Sequence, residues 1–522
     1  MSHRTVNEPI KPIHALSRRR SAGPRPGAGR RGARLRRAAG STLLLGSLSA
    51  AADPAANSAA SPATAPGMLF ARTPGTVSPS APTLEKPAET QPQNWNWHAQ
   101  NTDIVQGDFG FPAKYSGTAS LNSGGEVQET ISLDVFSGVR LWHGAEAHVD
   151  ALMWQGLGLT QTHGIEAFPN GDAYKAGLTV PQYQFARLFI RQTIGLGGDQ
   201  EDVPDDQLTL AGQQDISRLT FTLGRFSPLD ICDYNLYAND PHTQFMNWAM
   251  MGNLAWDYGQ DTVGYTTGFA VELNQPKWAV RYGFFQMPAA KNGFSGDDQY
   301  FMSPQSGADG PFLRSWAMMT ELERRYRLKD HPGKIRALAW LNEADMASYS
   351  VATPLLLADP NRTNPNNVAA DIAAARAYHY KYGLGLNWEQ EVAKNIGVFS
   401  RLSWNDGQEE AWTFTDVNWT ASLGVSLSGA VWHRPDDTIG LAGVVSGASS
   451  ANQKFLEAGG TDMLDGDGNL TYSPEKVMET YYNCQVWKTI HLTLDYQFVT
   501  DPAFNQARGP VSIFGARLHW EF

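Results

Sequence analysis

The sequence predicts an all-β protein, a transmembrane antiparallel β-barrel of about sixteen strands, and three observations carry the prediction. The last twelve residues alternate strictly: Ser512, Phe514, Ala516, Leu518, Trp520 and Phe522 share one face, and Val511, Ile513, Gly515, Arg517, His519 and Glu521 the other. From Phe514 onward one side is apolar and closes on an aromatic carboxy-terminus, while the opposite side carries Arg517, His519 and Glu521. Second, the same two-residue period recurs from about residue 94 to the end. Third, the connections mostly alternate between short and long, as in outer-membrane barrels, whereas a soluble sandwich has no reason to alternate them.

The amino-terminus is a different material. Residues 1 to 52 hold eleven Lys and Arg against one acid, Glu8, followed by a short apolar run around Leu43, Leu44 and Leu45 that ends in Ser49, Ala50, Ala51 and Ala52. A basic region, an apolar core and small residues form the pattern of a secretory signal peptide. With that leader at +10 and the whole chain at −11, the remainder carries −21, which gives no electrostatic case for nucleic acid as a partner. Residues 53 to 93 are rich in Ala, Pro, Ser and Thr, with too few large apolar side chains to offset the entropy of ordering, and are expected to be a disordered linker.

The strands follow in order. Residues 127–141 alternate Val127, Glu129, Ile131, Leu133 and Val135 against Gln128, Thr130, Ser132, Asp134 and Phe136; His143-Gly144 then makes a two-residue turn into 145–151. Further strands are expected at 183–193, 215–225, 261–274, 277–287, 315–328, 333–343, 378–389, 395–405, 412–429, 437–447, 476–487, 489–499 and 510–522. A weaker first strand at 94–104 makes sixteen, and the best helical stretch is Val368 to Arg376. Two connections break the alternation of lengths: 194–214 is long where a short turn belongs, and Asp406 to Ala411 is short where a long loop belongs.

Other classes are bounded by composition. Charged residues make up only 18% and aromatics 11% of the 522 residues, yet no window supplies the ~18 uninterrupted apolar residues of a membrane helix. Cys232 and Cys484 lie far apart, which excludes a disulfide scaffold and a zinc cluster built on cysteine alone, and both are expected to be free. Neither a metal nor another cofactor is expected. Asp465-Gly466-Asp467-Gly468-Asn469 opens like a calcium loop, but Leu470 stands at position six and Lys476 at position twelve, where glycine and glutamate are needed. Glu321 and Glu323, two apart on one strand face, have a spacing that would suit a retaining glycosidase, but a polar lumen carries paired carboxylates anyway.

Strand parity selects the residues at the middle of a channel: Asp134, Asp150, Arg187, Arg281, Glu321, Asp495 and Arg517. Acids and bases facing one another across a narrow pore suit polyhydroxyl solutes; the competing role for each is pairing with a neighbour to stiffen the wall. In the stretch from Phe226 to Gln260, Trp248, Trp256 and Tyr258 offer faces on which a sugar ring can stack, with Asp240 and Asp257 as acceptors for its hydroxyls. Packing of the loop onto the wall is the alternative. Trp278, Tyr282, Trp388, Trp404 and Trp520 fit an interfacial girdle.

Several long stretches resemble the carbohydrate-selective porin family of the OprB type. GVRLWHGAEAHVDALMWQGLGL, FPNGDAYKAG and ARLFIRQTIGLGG look like its early strands, GRFSPLDICDYNLYANDPHTQFMNWAMMGNLAWDY and NQPKWAVRYGFFQMP like its middle, and LDGDGNLTYSPEKVMETYY with RLHWEF like its end. The resemblance spans about residues 94 to 522 and implies a sixteen-stranded channel of a Gram-negative outer membrane, with long external loops partly folded inward, passing mono- or small oligosaccharides by facilitated diffusion. Its partners would be sugars and outer-membrane lipid, and it leaves open whether the barrel stands alone or as a homotrimer. Cys232 stands where the family pattern has an aromatic or apolar residue, and His242 where it has arginine. A general diffusion porin and a polysaccharide exporter are the alternatives among channels; an outer-membrane glycan or lipid hydrolase is the alternative among enzymes, and no Ser-His-Asp or metal-ligand spacing supports it.

Overall fold

The computed structural model of the protein describes residues 92–172, 179–291, 311–413 and 415–522. The expected leader, and the expected linker up to residue 91, lie outside the described residues. Sixteen strands close a barrel: β1 (Trp95–Asp108), β2 (Glu126–Trp142), β3 (Ala145–Gly156), β4 (Gln182–Gly195), β7 (Arg218–Phe226), β8 (Thr266–Gln275), β9 (Trp278–Gln286), β10 (Trp316–Leu328), β11 (His331–Ala347), β12 (Arg376–Ala393), β13 (Ile396–Asn405), β14 (Trp419–Ser428), β15 (Thr438–Gly447), β16 (Glu475–Trp487), β17 (Ile490–Thr500) and β18 (Val511–Glu521). Two short strands, β5 (Gln200–Val203) and β6 (Gly212–Asp215), form a separate hairpin. Each barrel strand pairs antiparallel with its sequence neighbour in the barrel, and β18 closes on β1 in a register running from Gln100↔Glu521 to Asp108↔Ile513. The terminal Phe522 exchanges both backbone bonds with Ala99, at 2.9 and 3.1 Å, so the carboxy-terminus is part of the seam.

The period of two sorts the side chains as expected. In β18, Arg517 and His519 are buried inside while Phe514, Ala516 and Leu518 face out. The outer surface carries a continuous set of exposed apolar side chains, among them Val135, Leu188, Leu223, Leu384, Leu402, Leu441 and Leu494. That amount of apolar surface needs lipid rather than water. Aromatics gather at both ends of this band. Trp95, Trp97, Trp142, Trp278, Trp487 and Phe522 stand near the short turns, and Tyr183, Phe185, Tyr380, Tyr382, Trp404 and Phe514 near the long loops. Tyr282, expected in a girdle, instead lies mid-strand against Phe269.

Four sequence expectations are corrected. Residues 261–265 are a turn rather than the start of a strand, because the Asp261 carboxylate accepts from the Val263 and Tyr265 amides, and β8 begins at Thr266. Trp412, Thr413 and residues 415–418 lie outside any strand, since the amides of Trp412 and Thr413 donate to the Asp257 carboxylate instead of to a sheet. The connection after β13 therefore runs to 418 and is no longer anomalously short. Gln93, placed in the linker, is tied to the barrel through two bonds with Ala211 and one from Arg140. The expected helix appears as Pro365–Ala374; three more, Trp248–Met251, Tyr349–Ala358 and Ser450–Glu457, were not expected. Cys232 and Cys484 are both free.

A sixteen-stranded barrel leaves a lumen that side chains alone do not fill. Here the connection between β7 and β8, residues 227–265, folds into it and is almost wholly buried. Small inward residues make room: an added Cβ at Gly397 would lie 2.0 Å from the Tyr237 ring, and one at Gly385 2.2 Å from Asn253. Leu494, outward-facing near the middle of β17, tests the side assignment. Leu494→Arg is expected to cost about 2–4 kcal/mol in denaturant unfolding from lipid vesicles, while Thr493→Ser, on the inner face, changes stability little.

Candidate functional site

The inward loop is held from many sides. Arg187 on β4 grips Asp230 through two bonds of 2.9 Å and donates a third, 2.6 Å, to Asp150 on β3. Arg401 on β13 donates to the Asp233 carboxylate at 3.1 and 3.2 Å and to the carbonyls of Asp233, Ala238 and Met250. Arg517 on β18 donates to the carbonyls of Pro241 and Gln244 and to Thr493. Carboxylates on the wall hold amides of the loop in the same way: Glu321 accepts from Asp233, Glu389 from Leu236, and Glu479 from Met246 and Asn247. Buried backbone in a loop must find partners, and the wall supplies them.

A second constellation is a ladder across β8 to β12. Arg281 lies between Glu272 (2.6 Å), Glu321 (2.7 Å) and Glu323 (3.3 Å); Arg325 and Arg336 also pair with Glu323, and Arg336 and Lys334 with Glu389. Four cations thus meet four carboxylates.

Where the loop leaves space, a cavity open to solvent lies against β1 to β4. Gln100, Asp134, Leu152 and Arg187 form its wall side, and Asp172, His242, Trp248, Tyr258 and Tyr265 are among the loop residues that complete it. Trp248 stacks on Phe168 with centroids 5.4 Å apart, and the Arg187 guanidinium lies 4.9 Å over the Tyr265 ring. His242 sits between two carboxylates, Nδ1 at 2.7 Å from Asp240 and Nε2 at 3.4 Å from Asp172. Burial alone would lower the imidazole pKa, but the Asp240 and Asp172 carboxylates outweigh it and hold the group well above its ordinary range. His242 is therefore a fixed cation on the cavity surface. Asp240 is held below the usual carboxylate range: burial opposes this, and the His242 charge with bonds from His242 and Thr243 prevails.

All seven residues selected by strand parity face inward and are buried, but they are not one constellation. Asp134 and Arg187 reach the cavity, and Asp150 stands behind Arg187. Arg281 and Glu321 belong to the ladder; Asp495, bonded to Gln497, and Arg517 lie beneath the inward loop. Of the loop residues, Trp248 lines the cavity. Trp256 packs on Tyr258 with centroids 5.2 Å apart, and Asp257 holds Trp412 and Thr413. Sequence reasoning missed Arg401, Arg336, Glu389 and Glu479, though each is an inward position by the same parity; Asp230 and Asp172 lie in loops, where no period signals them.

The family model for the carbohydrate-selective porins, OprB family, matches residues 118–522. The chain belongs to that family. It is accordingly an outer-membrane porin for carbohydrates, and in such barrels the long loops are external. Among solved structures, Pseudomonas putida OprB at high pH is 16% identical, with a TM-score of 0.58 over 82% of this chain and 94% of that one. Its low-pH form has 12% identity and a TM-score of 0.42, covering 82% and 93%. The outer-membrane channel DcaP of Acinetobacter baumannii has 9% identity and a TM-score of 0.42, covering 84% and 99%. No curated protein matches the chain in sequence.

Because the folded-state pKa of His242 is raised, its stabilisation is complete below the unfolded value, about 6.5, and is lost as pH rises through the folded value. The stability difference between the parent and His242→Gln should therefore be largest below about pH 6.5 and shrink toward higher pH, read from unfolding midpoints in detergent. A difference that stays constant from about pH 6 to 10 would mean that the imidazole is neutral.

Proposed function

We propose that the porin selects neutral sugars at the cavity against β1 to β4, with Trp248 as the stacking face, Arg187 and His242 as donors and Asp134 as acceptor. The observation that carries this reading is the convergence of these four on one open space. Ligand sites hold small molecules by an apolar face and a few placed polar groups. A pyranose offers both, an apolar C–H face and a rim of hydroxyls that donate and accept. Charges of both signs on one surface give no net attraction to an ion, while their donors and acceptors replace the water around hydroxyls, so a neutral polyol enters and leaves readily.

Arg281 and Glu321 have a different part in this reading. Their charges are already paired within the ladder, which stiffens the wall and keeps that side of the lumen neutral. The exposed apolar outer band supports outer-membrane lipid as the surrounding partner.

Two variants separate the roles. Trp248→Ala should weaken block of single-channel current by maltose or glucose roughly fivefold, the loss of a contact of about 1 kcal/mol, with ion conductance little changed. Arg187→Ala should raise ion conductance as well, since it removes a cavity cation and frees Asp150 and Asp230. Liposome swelling with sugars, amino acids and salts gives the selectivity directly. Unaltered sugar block in both variants would exclude this cavity as the sugar site.

A further inference from the structure

Three external connections, residues 157–181, 406–418 and 448–474, bring Glu166, Asp416 and Asp465 together, all three buried. One carboxylate oxygen from each lies within 4.8 Å of the other two. Ligand oxygens at about 2.4 Å from one ion are necessarily within about 4.8 Å of one another, so the set fits on a single coordination sphere. The oxygens are also available. Glu166 Oε1, Asp416 Oδ1 and both carboxylate oxygens of Asp465 are buried with no hydrogen-bond partner.

The remaining oxygens explain how the group is held. Glu166 Oε2 accepts from the Asp416 amide at 3.1 Å, and Asp416 Oδ2 from the Leu464 amide at 2.8 Å, so one oxygen of each is fixed by backbone and the other is left without a partner. Neighbouring acids are already engaged: Asp462 by Lys291 and Tyr349, Glu410 by Lys291 and Arg376, and Glu475 by the amides of Glu166, Ala167 and Ala503. Lys291 thus pairs with Asp462 and Glu410; its charge is felt at Asp416 and Asp465, but none of the three carboxylates has an ion pair of its own among the described residues. A buried carboxylate without partners is costly, and three together more so.

We propose that Glu166, Asp416 and Asp465 bind one divalent cation, of the calcium type, that pins the three external connections together at the mouth of the channel. An all-oxygen set with no nitrogen or sulfur selects a hard ion, and calcium tolerates the irregular geometry and completes its shell with water or carbonyls. Burial first, and then repulsion from neighbouring carboxylates, Asp465 and Asp416 on Glu166 and Asp462 on Asp416 and Asp465, pushes all three carboxyls well above their ordinary range, which is the state a bound cation relieves. The Asp465-Gly466-Asp467-Gly468-Asn469 run contributes only its first aspartate; its partners come from positions 166 and 416, far away in sequence.

The test uses the purified protein in detergent, stripped with EDTA and titrated with CaCl2 by calorimetry, with the thermal midpoint recorded alongside. One calcium per chain should bind and raise the midpoint; binding and the shift should both be lost in Asp465→Asn and Glu166→Gln, and both kept in Asp501→Asn, a nearby carboxylate paired with Lys476 outside the cluster. Heat-dependent gel mobility checks that each variant still forms the barrel. If Asp465→Asn fails to fold, the parent decides: no binding at about 10 mM calcium, above the weakest extracellular sites, overturns the proposal and leaves a proton-sharing cluster. Retained binding in folded Asp465→Asn and Glu166→Gln also overturns it.

Discussion

The structure depends on a wide lumen being filled by a long loop, and on arginines that reach from the wall to hold it. Apolar side chains of residues 227–265, Phe245, Met250, Leu254 and Trp256 among them, draw the loop out of water, but its backbone goes in with them, so each buried carbonyl and amide must be met. Arg401 does much of this at a single point, with five protein oxygens taken up by one guanidinium. Its planar fork suits carbonyls that diverge from one turn of chain, which the single point charge of lysine does not. Removing one partner of such a buried pair costs about 3–5 kcal/mol, because the other charge is left unpaired. The loop is therefore a fixed part of the wall.

Charge balance follows from the same constraint. Every buried cation that holds the loop or the wall needs an anion nearby, and the ladder from Glu272 to Glu389 closes with four of each. The chain is acidic overall, at −11, yet this part of the lumen is locally neutral. A neutral lumen with many fixed donors and acceptors discriminates by hydrogen bonding rather than by field, which separates a sugar channel from an ion-selective one. His242 extends the pattern to the loop, where a cation is held between Asp240 and Asp172 without arginine.

The barrel was legible because its signal is local. Parity needs only neighbouring residues, and lipid outside with polar filling inside makes the alternation strict, so Asp134, Asp150, Arg187, Arg281, Glu321, Asp495 and Arg517 all emerged on the correct face. What parity does not carry is which inward residue meets which loop atom. Asp257 has the composition of a sugar ligand, but its carboxylate is taken by Trp412 and Thr413, 155 and 156 residues further along the chain. The same limit misplaced the segment that opens at Trp412, where apolar and polar residues alternate as in a strand while the amides of Trp412 and Thr413 answer to Asp257 and that of Asp416 to Glu166. Glu166, Asp416 and Asp465 illustrate it again, since no spacing in the sequence brings them together.

The anomalous connection between β4 and β7 completes the account of the lumen. Where other connections at that end are mostly brief, residues 196–217 form a hairpin and turn back toward the barrel, held by Arg191 to the Leu208 carbonyl and by Asn96 to Asp205. Gln207 donates to Gln100 at 2.9 Å, and Gln100 donates to Asp134 at 2.9 Å on the cavity surface. The periplasmic hairpin is thereby joined, through two side-chain bonds, to a residue of the proposed sugar site. The external loop narrows the lumen from one end and this hairpin from the other, and both leave their space on the β1 to β4 side. Length at 196–217 is thus explained by filling: a two-residue turn would not reach Gln100, the residue through which the hairpin is joined to Asp134.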